Sequence, residues 1–214
     1  MDAEEALAVV DSVVDRAEPG EQLEAVLQWS DSTEVRAHDG HLEHFVAATE
    51  IGVGVRIVRG GRTGMSWSGA LDGEALDSAV AEARDNAGFA SEDPFAGLAV
   101  PDGVEPAEVA SVDAGFAAVA SEEKIDFALS LDAALSAADP RIVGHEGADY
   151  NDARVLSAVA STAGVRAAET ETIAQAAVWA LATDGTEFTT GFGLDAALGL
   201  SALDPERVVA EAVS

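Results

Sequence analysis

IGVGVRIVRGGRTGMSWSGALDGEALDSAVAEARDNAGFASEDPFAGLA, residues Ile51–Ala99, reads as a β-hairpin, then a helix, then an acidic loop with an aromatic residue. The Gly60-Gly61 turn leaves two registers open. A two-residue loop would put Met65 and Trp67 on the face of Arg56 and Gly54. Admitting Arg62 to the loop pairs Ile57 with Met65 and Val55 with Trp67. A one-residue slip reverses every face, so the apolar match selects a three-residue loop with a glycine bulge. The helix expected over about 73–89 carries Leu76, Val80, Ala83 and Ala87 on one stripe, suited to lie on a sheet.

Upstream, Asp2 and Glu5 have capping-box spacing at the start of a first helix. Leu7, Val10, Val14 and Ala17 recur at helical spacing until Pro19-Gly20. Leu23, Ala25, Leu27 and Trp29 then share one strand face, and Asp39-Gly40 is a two-residue hairpin turn. That turn sets Arg36 opposite Glu43 and Val35 on the face of Leu42 and Val46. Strands are expected over 21–31, 33–38, 41–49, 51–59 and 63–68. Downstream, 91–111 is rich in Pro, Gly and acid, as in a crossing loop or linker.

The second half repeats the plan. A helix is expected over about 121–138, with Phe127, Leu131, Ala134 and Ala138 in register. Strands follow near 141–149, 153–161, 165–182 and 186–192, with Asp184-Gly185 as a tight turn placing Leu181 beside Phe188, and DPERVVAEAVS as a last, unfinished helix. Antiparallel sheets with helices on one face, in two halves of similar plan, define an α+β fold. The expected division is an N-terminal α+β domain (1–100), a linker (101–120) and a central α+β region (121–214).

Composition bounds the function. Nearly half of the 214 residues are apolar, enough for a core, and no apolar run suits a spanning helix. The acidic N-terminus is unlike a secretory leader, and the absence of cysteine excludes disulfides and thiolate metal sites. A cytoplasmic protein is expected. The 40 Asp and Glu against 11 Lys and Arg give a net charge of −29, and Lys124 is the sole lysine. Such a surface repels nucleic acid and anionic membranes. Salt adaptation is the plainer reading of the acidity, and a basic partner the functional one. Under the former, salt should screen self-repulsion and stabilise the fold.

No catalytic centre emerges. His145-Glu146 begins like a zinc-peptidase motif, yet Asp149 stands where H-E-x-x-H needs its second histidine. A solvent-facing strand position is expected for His145. His38, His41 and His44 invite a metal test. Across the turn His38 and His41 would face each other while His44 points away, so surface histidines are the expectation. Gly52-x-Gly54 lacks a third glycine and lies within a strand; it suits close backbone approach, or room for a neighbour such as Trp67. Ser66, Ser68 and Ser161 have no nucleophile elbow. Trp29, Trp67, Phe89, Phe95 and Trp179 read as core. No catalytic, cofactor-binding or metal-ligating residue is assigned.

The order HDGHLEHF, GVGVRIVRGGRTGMS, EALDSAVAEARDNAGFASEDPFAGLA, DPRIVGHEGADYNDARVLSAVASTAGV, ATDGTEFTTGFG and LDPERVVAEAVS resembles the TldD/PmbA family across nearly the whole chain. These proteins were described as modulators of DNA gyrase and are regarded as subunits of a cytosolic metallopeptidase. SEDPFAGLA is closer to the PmbA branch, also called TldE. Family members are about twice as long, and the resemblance covers only their N-terminal and central regions, without the C-terminal domain. In TldD that domain carries the zinc motif H-E-x-x-x-H; here Tyr150 stands where its second histidine would fall. The resemblance implies a non-catalytic PmbA/TldE-type subunit for proteolysis of unfolded or small peptides, with zinc on a TldD-type partner in a heterodimer. Self-association, a TldD-like catalytic subunit lacking its zinc domain, and a free-standing acidic binding module are the alternatives.

Overall fold

A computed structural model describes residues 1–104, 107 and 109–214. Part of the expected 101–120 linker, residues 105, 106 and 108, lies outside the described residues. Helix α1 spans Ala3–Val14, followed by strands β1 (Gln22–His38), β2 (His41–Arg59) and β3 (Arg62–Ser68), then helix α2 (Gly73–Phe89). Helix α3 (Ser121–Ala138) precedes β4 (Ile142–Ser161), β5 (Arg166–Thr183), β6 (Phe188–Ala197) and helix α4 (Pro205–Ala212). The strands are hydrogen-bonded in the order β3-β2-β1-β4-β5-β6, and the architecture is α+β with an antiparallel sheet.

Several expected strands are joined. Residues 22–38 form one strand, as do 41–59 and 142–161. Along β1 the buried side chains Leu23, Ala25, Leu27, Thr33, Val35 and Ala37 all fall on odd positions. The polar Ser30-Asp31-Ser32 run therefore interrupts hydrophobicity without interrupting the strand, because alternation continues across it in the same phase.

The chain's contacts divide it into two compact units. The first comprises Met1–Ser30, Thr49–Val109 and Val155–Thr170. Its core joins Val10 and Val13 of α1, Leu76 and Val80 of α2, Leu23 and Leu27 of β1, Val53 and Ile57 of β2, and Leu156 of β4. Each such side chain, fully buried, contributes about 1.5–3 kcal/mol. Helix α1 begins in a capping box: Asp2 accepts from the Glu5 N–H at 2.9 Å, and Glu5 accepts from the Asp2 N–H at 2.9 Å. It ends at Val14, before Pro19, where the Arg16 guanidinium donates to the Ser12 carbonyl.

The Gly60-Gly61 hairpin corrects the expected register. Arg59 pairs with Arg62, so the loop has two residues, and Gly54 lies opposite Trp67 and Arg56 opposite Met65. Both glycines have positive φ (58° and 73°), as a type I′ turn demands. Met65 and Trp67 consequently face solvent, while Gly64 and Ser66 face α2. A Cβ on Gly64 would lie 2.0 Å from the Ala83 carbonyl oxygen: the helix sits directly on the strand backbone. Small residues here matter more than the apolar match that favoured the other register.

The second unit comprises Asp31–Ala48, Ala110–Arg154 and Glu171–Ser214. Leu131 and Leu135 of α3, Val35, Tyr150, Val178, and Val208 of α4 share its core. Asp204 caps α4 by accepting from the Arg207 N–H at 3.0 Å, with Pro205 in the first turn. Helix α4 meets β6 as α2 meets β3, since a Cβ on Gly193 would lie 1.9 Å from the Val208 carbonyl oxygen. The turn at Asp184-Gly185 is longer than expected. Thr183 pairs with Phe188 and Leu181 with Thr190. Asp184 Oδ1 accepts from the backbone N–H groups of Thr186 (2.8 Å) and Glu187 (3.0 Å), which stabilises a four-residue loop.

Candidate functional site

In the second unit, β4 carries His145 and α3 carries Asp132 and Ser136, four residues apart and so on one helical face. His145 Nε2 lies 3.2 Å from Ser136 Oγ, 3.4 Å from Asp132 Oδ1 and 3.8 Å from Asp39 Oδ1. Its side chain is only 4% exposed, which corrects the expectation of a solvent-facing residue: α3 covers that face of the strand. Gly147, at φ +119°, lets β4 pass close to β1, and a Cβ there would meet the Ala37 carbonyl oxygen at 3.0 Å. Asp132 Oδ2 accepts from the Gly40 N–H at 2.8 Å, bracing the Asp39-Gly40 turn.

This constellation is not a hydrolytic relay. In a serine–histidine–carboxylate triad the serine and the carboxylate address opposite ring nitrogens. Here both approach Nε2, and the buried Nδ1 has no hydrogen-bond partner among the described residues. His38, His41 and His44, expected as surface histidines, have different surroundings. His38 stacks edge-on against His145, with ring centroids 5.0 Å apart, and its Nε2 lies 3.1 Å from the His145 carbonyl oxygen. His44 Nε2 lies 3.9 Å from Glu34 Oε2, and His41 is exposed.

The residues after His145-Glu146 do not fit the zinc ion that the sequence resemblance brings to mind. They lie on a strand, where consecutive side chains alternate. Asp149 receives two bonds from the Arg36 guanidinium, at 2.6 and 2.9 Å. The Tyr150 hydroxyl donates to Asp152 Oδ2 at 2.6 Å, and burial, reinforced by that carboxylate, raises its pKa far above the ordinary phenol value. Lys124 Nζ donates to Asp152 at 3.0 Å and to Thr33 at 2.9 Å. Among the described residues no three His, Asp or Glu side chains are placed to hold a metal. Asp132, Ser136 and Lys124 escaped the sequence reading; the four-residue spacing of Asp132 and Ser136 was the available signal.

The first unit presents a different feature. Val26, Gln28, Gly52, Gly54 and Trp67 line an open groove of about 670 Å³. Gly54 is the cross-strand partner of Trp67, yet a Cβ on Gly54 would meet only the Val26 carbonyl oxygen at 3.9 Å, and one on Gly52 only the Ser68 carbonyl oxygen at 3.6 Å, so neither glycine makes room for the indole. Trp67 is 76% exposed, and Phe89 and Phe95 are also exposed, which corrects their assignment to the core. Trp29 packs partly against the core and Trp179 lies 5.0 Å from Phe192. Ser66 Oγ donates to the Ala79 carbonyl and Ser68 Oγ to the Ala70 carbonyl, so both tie backbone together.

Residues 23–87 match the family model described as PmbA/TldA metallopeptidase domain 1, and residues 115–214 match its central domain. The chain belongs to the PmbA/TldD family. A putative modulator of DNA gyrase from Bacteroides thetaiotaomicron superposes with a TM-score of 0.82 at 18% identity, over 98% of this chain and 48% of that one. One from Thermotoga maritima gives 0.77 at 21% identity, over 99% and 48%. TldE from Thermococcus kodakarensis gives 0.75 at 17% identity, over 98% and 46%. At such identities the likeness is one of fold. The chain spans about half the length of these solved relatives. No curated protein matches the chain.

Proposed function

We propose that this chain is the N-terminal and central portion of a PmbA/TldE-type subunit, which supports a metallopeptidase acting on unfolded or small peptides. The observation that carries this reading is the pair of metallopeptidase-domain matches over 23–87 and 115–214. The engagement of His145, Asp149 and Tyr150 with other protein groups supports it. The likeness to a TldE structure favours the non-catalytic branch. On this reading a TldD-type partner supplies zinc and activates water for attack on the peptide bond. This chain supplies subunit contacts and chamber wall.

The test is peptide hydrolysis by the protein carrying this sequence, alone and mixed with a TldD-type protein from the same genome. Hydrolysis that appears or rises only in the mixture is expected. An equal rate from the TldD-type protein alone overturns the supporting role.

A further inference from the structure

Neither Gly52 nor Gly54 of β2 is demanded by the packing around it. Neither has a positive φ, and a Cβ on either would make only ordinary contact with one carbonyl oxygen. Glycine inside a strand weakens it, and a β-branched residue would suit both positions better. What the missing side chains do is clear the floor of the groove of about 670 Å³ in the first unit.

The walls of that groove carry the chemistry. Val26 of β1 is 43% exposed and forms an apolar wall opposite the exposed Trp67 of β3. Trp67 Cζ3 comes within 3.8 Å of where a Cβ on Gly69 would stand, so the indole leans along β3 past Ser68. Since β3 runs antiparallel to β2, with Val53 opposite Ser68, that lean carries the ring toward Glu50. Glu50 is exposed and lines the same groove, together with Gln28 and Ser30 of β1. Glu24 is neutralised by Arg56 at 3.0 Å, whereas Glu50 has no ion pair among the described residues.

The groove therefore offers a free carboxylate, an amide oxygen, a hydroxyl and an indole face, and no cationic side chain lines it among the described residues. Such a set draws in a cation, and the net charge of −29 adds to the attraction. The bare floor and the indole select a planar one. Guanidinium stacks on aromatic faces and presents five N–H donors in a fork, whereas an ammonium is a compact, strongly hydrated point charge. The aliphatic stem of an arginine covers the apolar wall at Val26. A groove of this volume exceeds one side chain and leaves space for the backbone that bears it. We propose that the groove holds an arginine side chain of another polypeptide, its guanidinium against the Trp67 indole and paired with Glu50. Such a site does not depend on the peptidase-subunit reading.

The experiment is an NMR titration of the nitrogen-15-labelled protein carrying this sequence with capped pentapeptides Ala-Ala-X-Ala-Ala, where X is arginine, lysine, citrulline or phenylalanine. The arginine peptide should shift the Trp67 indole and the Gly52 and Gly54 amide signals saturably. It should bind about tenfold more tightly than the lysine and citrulline peptides. Glu50→Gln should weaken binding about tenfold, and Gly52→Thr/Gly54→Thr, which fills the floor, should abolish the shift of the Trp67 indole. Should the double variant melt below wild type, Glu50→Gln alone decides. Equal affinity for the lysine peptide, tighter binding of the phenylalanine peptide, undiminished binding by Glu50→Gln, or the lack of a saturable shift at Trp67 each overturns the proposal. Free argininamide binding as tightly as the arginine peptide overturns the polypeptide as the source.

Discussion

Replacing Gly64 by alanine probes the contact that sets the β2–β3 register. The added Cβ would lie 2.0 Å from the Ala83 carbonyl oxygen and 2.2 Å from the Ala87 nitrogen, where ordinary contact begins near 3.4 Å. Both neighbours are helix backbone, so no rotamer change relieves the clash. Strand or helix must withdraw by about 1.4 Å, the shortfall at the carbonyl oxygen. That movement strains the Ser66 hydroxyl bond to Ala79 (2.5 Å) and the Asn86 amide bond to the Met65 carbonyl (2.9 Å). Overpacking costs about 1–3 kcal/mol, and each lost hydrogen bond about 1 kcal/mol. The expected loss is about 3–5 kcal/mol, or a fall in melting temperature of roughly 6–20 °C for a chain of this size. Gly88→Ala is the control: a Cβ there meets nothing within 4 Å, and a helical Gly→Ala change is stabilising by about 0.5–1 kcal/mol. Differential scanning calorimetry reads both. A Gly64→Ala variant melting within about 2 °C of wild type refutes the flush packing of α2 on β3.

Lys124→Ala should cost about 3–5 kcal/mol by stranding buried Asp152, measured by urea denaturation. In the same vein, amine-directed labelling of the folded chain should spare Lys124 and modify it once urea is added. Glu21, buried against the Arg84 guanidinium, has a carboxyl held below its ordinary value of 4.5, chiefly by that pair. Its stabilising contribution is therefore full above the ordinary carboxylate range and lost as pH falls through the lowered value. A Glu21→Gln variant should be less stable at neutral pH and converge with wild type in acid, a comparison made by thermal melts across pH. Melting temperature should rise from low to molar salt as the −29 charge is screened; an unchanged value argues against self-repulsion.

Much of the fold was legible because local signals agreed. Helices 73–89 and 121–138 have the expected bounds, and the first buries its expected stripe; the second instead buries Ala128, Leu131 and Leu135, leaving Ala134 and Ala138 exposed. The Asp2–Glu5 capping box forms as spaced. Misreadings arose where tertiary packing overrode a local rule. At the Gly60-Gly61 turn, matching Met65 and Trp67 to the core looked favourable, yet α2 demanded the small Gly64 and Ser66 on that face. The phase continuity from Leu23 to Ala37 was visible in the sequence, although the polar residues at 30–32 concealed it. His145 could not be placed from the strand pattern because Asp132 and Ser136, which bury it, come from a different element.

The central claim is that this chain supports a catalytic centre held elsewhere. Its most direct test is metal analysis by plasma mass spectrometry on the two proteins separated after an active mixture has formed. The account predicts zinc near stoichiometry on the TldD-type partner and at background on the protein carrying this sequence. Stoichiometric zinc on this protein, with peptide hydrolysis in the partner's absence, would contradict it.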